Sequence, residues 1–206
     1  MVTFGWQLRY SWVLLQHTVA NAALRPRFPH SAVTVVAALL AGCMSLTPQQ
    51  HEAVADVQRF ADRTAAAYNL SRIRVTVEPA TNLGIGGRYR QGNFYLNIRM
   101  LGSQNLTALV AHELAHYVLG HDTPVSGSST AEFQRAQELR ELDANAKAVE
   151  ILMRAKGMSR TEAVGTIITH LRAAQRAVDR GGPITPGHRT PAAEIADLLA
   201  RYPDSQ

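Results

Sequence analysis

The chain has 206 residues, 46% of them hydrophobic, and 21 Lys and Arg against 16 Asp and Glu give a formal charge of +5. That length suits one domain with a real core, together with whatever precedes it. The charge does not mark a nucleic-acid binder. Arg9, Arg25 and Arg27 lie before residue 43, where no acidic residue stands, and the remainder carries 18 basic against 16 acidic residues without a basic run.

Residues 32–42 form an apolar run preceded by Arg25, Arg27 and His30. A helix needs roughly 20 residues to span a bilayer, so this run is too short to do so and has instead the length of a signal-peptide core. It ends in Leu40-Ala41-Gly42-Cys43, which resembles the bacterial lipobox. That resemblance implies a signal peptide over 1–42, a lipid on Cys43 and a mature domain over 43–206. Met44, where an inner-membrane protein would carry Asp, points to the periplasmic face of the outer membrane of a Gram-negative cell. The long stretch before the apolar run leaves open a translation start later than Met1. Cys43 is the only cysteine, which rules out an internal disulfide.

Thr47-Pro48-Gln49-Gln50 reads as a capped helix start, and Val54, Val57, Phe60 and Ala61 carry an apolar stripe on to about Tyr68. Ile73, Val75 and Val77 alternate with Arg74 and Thr76, as in a half-buried strand. A glycine-rich piece, Gly84 to Arg90, and a turn at Gln91-Gly92-Asn93 then lead to Phe94, Leu96 and Ile98 in alternation. These read as a hairpin. The glycines are not spaced as a phosphate-binding loop and no helix follows them directly, which argues against nucleotide binding. An exposed strand edge here could hold an extended peptide, though the sequence does not say which strand is the edge.

Leu106, Leu109, Val110, Leu114, Tyr117 and Val118 recur at helical spacing around Ala111-His112-Glu113-Leu114-Ala115-His116. Residues four apart share a helix face, so His112 and His116 can aim imidazole nitrogens at one zinc ion. Glu113 lies about 100° round the helix, beside that point, where its carboxylate can take a proton from a metal-activated water. The loop 122–130 is followed by a second long helix to Lys156, closed by Gly157. Ser159 and Glu162 form a capping box for a third helix to about Arg180. After a Pro/Gly-rich loop, a short helix ends near Tyr202.

A zinc enzyme of this kind needs a third protein ligand. Glu141, Ala144, Asn145 and Ala148 share one face of the second long helix, and the alanines allow a close approach to the histidine helix. Glu141 is the leading candidate, with Glu138 as fallback. His121, five residues after His116, is read as a helix C-terminal residue suited to the helix dipole. His170, inside a helix, is read as a surface histidine, as is His51. Asp143 points away from the Glu141 face.

His112-Glu113-Leu114-Ala115-His116 with Glu141-x-x-Ala144-Asn145 resembles the gluzincin peptidases of the family containing the HtpX heat-shock protease and the CAAX prenyl endopeptidase. The resemblance covers roughly Asn82 to Ala148. It implies an α+β, mostly helical zincin-like fold, with a small hairpin or sheet before the His-Glu-x-x-His helix. It also implies Zn2+ on His112, His116 and Glu141, Glu113 as the base, and a protein or peptide substrate. Asn145 stands where that family usually has Asp, so an uncharged group would back a ligand histidine. The loop Thr185 to Pro191 is similar to the family's late His/Pro segment, and from it His188 or Arg189 is expected to stabilise the oxyanion. A zinc-binding or metal-free domain that binds envelope proteins without cutting them is the competing expectation.

Overall fold

The computed structural model describes residues 46–79, 86–90, 92–123, 125, 127, 129–184 and 187–205, all within one compact unit, Met44–Gln206. Cys43 and the signal segment, Asn82, Gly84, Ile85, Gln91, Thr185 and Pro186 lie outside the described residues. Among the described residues no helix is long and apolar enough to cross a membrane.

The architecture is α+β and mostly helical, with a small sheet ahead of the histidine helix. Helix α1 (Pro48–Ala67) starts on a reciprocal capping box between Thr47 and Gln50 and buries Val57, Phe60 and Ala61. Three strands follow: β1 (Arg74–Glu78), β2 (Gly87–Arg90) and β3 (Asn93–Asn97), in the order β1-β3-β2. The hairpin read from the sequence is present as the antiparallel pair β2–β3. The parallel pairing of β1 with β3, Val75 opposite Phe94, is an addition that alternation alone does not specify.

Gln58 of α1 covers the start of β1 on its outer side. Its amide donates to the Ile73 carbonyl at 2.8 Å and accepts the Val75 N–H at 2.9 Å. β2 is the other outer strand and lies beside the next helix. Phe94 and Leu96 of β3 are fully buried in one core with that helix, α2 (Leu106–Val118), which buries Val110, Ala111, Leu114 and Ala115. Helix α3 (Thr130–Lys156) packs along α2 through Ala144 and Ala148. It ends in a left-handed Gly157 whose N–H closes onto the Met153 carbonyl at 3.1 Å, the simple left-handed cap. Helix α4 (Arg160–Asp179) opens on the Ser159–Glu162 capping box and buries Val164, Ile167 and Leu171.

The last helix, α5 (Pro191–Arg201), is fixed from several sides. Gln175 of α4 accepts the Ala192 N–H, Arg201 pairs with Asp143 of α3, and the Tyr202 hydroxyl donates to the Ala146 carbonyl. Leu198 fills the space below. These contacts set the first turn of α5 over the middle of α3.

Candidate metal centre

The four-residue spacing on α2 brings the Nε2 atoms of His112 and His116 to 3.2 Å from each other. Because α3 runs close against α2 on its alanine face, Glu141 adds a third atom. Its Oε2 lies 3.1 Å from His112 Nε2 and 3.3 Å from His116 Nε2. Three donors held about 2.0–2.1 Å from one ion in tetrahedral directions are roughly 3.3 Å apart. The triangle has that size, so the residues present fit a metal ion without rearrangement, and together they could hold one.

Electrostatics favours a cation at the centre of this triangle. Burial opposes a charge on His112, but the hydrogen bond and field of Glu141, with Glu113 and Asn145, raise its pKa to about 9. Burial also opposes ionisation of Glu141, yet the hydrogen bonds from His112 and His116 hold its carboxyl well below the ordinary range.

The outer nitrogen of each histidine has its own partner. His112 Nδ1 lies 2.9 Å from Asn145 Oδ1, and His116 Nδ1 lies 2.9 Å from His121 Nδ1. His121 lies at the end of α2 and outside the triangle, as read from the sequence, its N–H closing onto the His116 carbonyl; what the sequence did not show is this ring contact. Burial, followed by the charges of His116 and Arg140, lowers its pKa to about 4, so at neutral pH its ring can accept a hydrogen bond. Arg140 keeps the segment against α3 by donating to the carbonyls of His121 and Thr123. Glu138 accepts from Gln134 and is not in the donor group. Asp143 faces away, toward Arg201.

Glu113 stands beside the triangle, and its Oε2 accepts the Tyr89 N–H at 3.0 Å. Burial raises its pKa against the opposing pull of His112, His116 and that N–H. The Asn97–Gly86 hydrogen bond and the β2–β3 register turn the main-chain N–H and C=O of Gly87 and Tyr89 away from β3, toward the cleft.

The cleft has a volume of about 550 Å³ and is walled by β2, α2, α3, α4 and the start of α5. His188 enters it with Nε2 3.5 Å from Glu141 Oε2 and Nδ1 3.3 Å from Glu194 Oε1. Burial opposes its charge, but the Glu194 hydrogen bond and the fields of Glu141 and Glu194 raise its pKa. Arg189 also borders the cleft. His170 is a correction. It is not a surface histidine but lines the cleft, with a buried Nδ1 that no hydrogen bond reaches. Two polar residues escaped the sequence reading: His170, because one histidine inside a helix carries no signal, and Glu194, because it lies 53 positions beyond Glu141.

A His-Glu-x-x-His helix, a carboxylate from the next long helix and a strand edge alongside define a site of metallopeptidase type. The chain belongs to the IrrE N-terminal-like domain family, Peptidase_M78, which it matches over residues 73–176, just over half its length. No curated protein and no solved structure matches it. The family match supports the metallopeptidase class, while the narrower resemblance to the HtpX and CAAX enzymes is not what it shows. The matched stretch includes the three donors, Glu113, Asn145 and His170; His188 and Glu194 lie beyond it.

Proposed function

We propose that the chain is a zinc-dependent endopeptidase whose ion is held by His112, His116 and Glu141. The single observation that carries this reading is the donor triangle with the Glu113 carboxylate beside it. Two imidazoles and one carboxylate suit zinc among the common divalent ions. Zinc held there would supply Lewis acidity toward a peptide carbonyl and lower the pKa of a water.

The chain's own groups do the rest. Glu113 takes the proton from the attacking water and passes it to the leaving amine. His188, 3.5 Å from Glu141, is placed to donate to the oxygen that becomes negative as the carbonyl is attacked. Gly87 and the Tyr89 carbonyl on β2 offer main-chain groups to an extended substrate, the Tyr89 N–H being held by Glu113. Leu171, Ala174, Val178 and Ile184 form an apolar wall that favours an aliphatic side chain in the bound segment.

The sequence carries a further proposal. A lipid on Cys43, after removal of 1–42, would tether the enzyme to the cell envelope, facing periplasmic proteins or misfolded chains. The lipobox pattern supports it.

The deciding experiment compares wild type with Glu113→Gln on an unfolded protein substrate after zinc repletion. Cleavage by wild type and its loss in the variant are expected. Equal cleavage, or none by either with zinc bound, would move the chain to the class of proteins that bind a metal and a partner without hydrolysis.

A further inference from the structure

Asn145 is a neutral group where a charged one would be expected behind a zinc-binding histidine, and its amide has two faces. Oδ1 meets His112 Nδ1 at 2.9 Å, and Nδ2 meets Glu194 Oε2 at 3.1 Å. Both residues are shut off from solvent, Asn145 2% and Glu194 3% exposed. Burying a carboxylate is costly unless it is hydrogen-bonded, so its position calls for a reason.

We propose that Glu194 is the positioning carboxylate behind His112, acting through the Asn145 amide, and that it also orients His188. A carboxylate accepts only, so it draws the NH2 side of Asn145 toward itself and turns the carbonyl oxygen to His112. That oxygen also accepts only, which fixes the hydrogen on His112 Nδ1 and leaves the Nε2 lone pair facing Glu141 and His116. The second Glu194 oxygen meets His188 Nδ1 at 3.3 Å, and the far nitrogen of that ring lies near Glu141. One carboxylate thus sets two rings from behind. The first turn of α5 suits it, since negative charge is favoured at a helix N-terminus. The missing charge at Asn145 is supplied one hydrogen bond further out, from a residue outside the stretch that defines the family match.

This inference rests on the metal-site reading above, and the test separates the two. Zinc affinity is measured on the purified full chain by competition with a chromophoric chelator. The samples are wild type, Glu194→Gln, and the exchanged pair Asn145→Asp/Glu194→Gln. Removing a partner behind a ligand histidine typically weakens metal binding about 10–100-fold, and Glu194→Gln is expected to fall in that range. The exchanged pair brings the carboxylate directly onto His112 and the amide behind it, so affinity should return toward wild type. A merely structural Glu194 would not be rescued in this way. Wild-type affinity in Glu194→Gln, or no recovery in the pair, overturns the proposal. Should Glu194→Gln fold poorly, the exchanged pair decides alone, by keeping or losing tight binding. A wild-type chain that takes up no zinc overturns the metal-site reading itself, and this inference with it.

Discussion

His121 and His116 face each other through their Nδ1 atoms at 2.9 Å. One of the two must donate. If His116 is to present the Nε2 lone pair to the donor triangle, its hydrogen sits on Nδ1, and the neutral His121 ring accepts it. Replacing His121 by Leu should therefore weaken zinc binding about tenfold or more without removing a ligand. Chelator competition on the two proteins checks this; an unchanged affinity would make the contact incidental.

Glu141 and Glu138 lie three residues apart on α3, but only Glu141 meets the histidines. Glu141→Ala should lose stoichiometric zinc, while Glu138→Ala keeps it, as read by elemental analysis. Chelation should lower the melting temperature of wild type and leave Glu141→Ala unmoved. A ligand at a hundred times its Kd adds about 2.7 kcal/mol to the folded state.

His170 gives stability a pH dependence of known sign. Burial, then the charge on His112, lowers its pKa from 6.5 to about 4. Between those values the unfolded chain binds the extra proton, so stability falls as pH drops through this window. The full contribution is on the order of 3 kcal/mol. Urea titrations of metal-free wild type and His170→Leu at pH 7 and pH 4.5 measure it. The acid loss should be smaller in the variant, and parallel losses would assign it to other groups.

Gly87 leaves no room for a side chain. A Cβ there would lie 3.0 Å from the buried Phe94 ring and 3.3 Å from the Tyr95 carbonyl. Gly87→Val should destabilise the chain by about 1–3 kcal/mol through overpacking. Denaturant unfolding reads this directly, and a cost near zero would mean that β2 can move away from β3.

Much of the fold was legible because its signals are local. The Thr47–Gln50 and Ser159–Glu162 capping boxes and Gly157 mark helix ends through hydrogen bonds made within a few residues. The His112–His116 pair and the Glu141 face follow from helical period alone. What stayed hidden depends on contacts between distant segments. Nothing in Arg74–Glu78 announces a parallel partner at Asn93–Asn97, since alternation fixes the faces of a strand and not its neighbour. His170 and Glu194 reach the cleft only because α4 and α5 dock where they do, and docking follows from the summed packing of Leu171, Leu198 and their neighbours.

Strand β2, the border of the sheet beside the cleft, is only four residues long and carries two exposed arginines, Arg88 and Arg90. Open borders invite identical chains to stack into extended aggregates. Here two copies meeting side by side would bring like charges together, a repulsion that an unrelated neutral or acidic segment does not meet. On the peptidase reading proposed above, this border would stay open to an extended segment while discouraging the molecule's own copies from pairing along it.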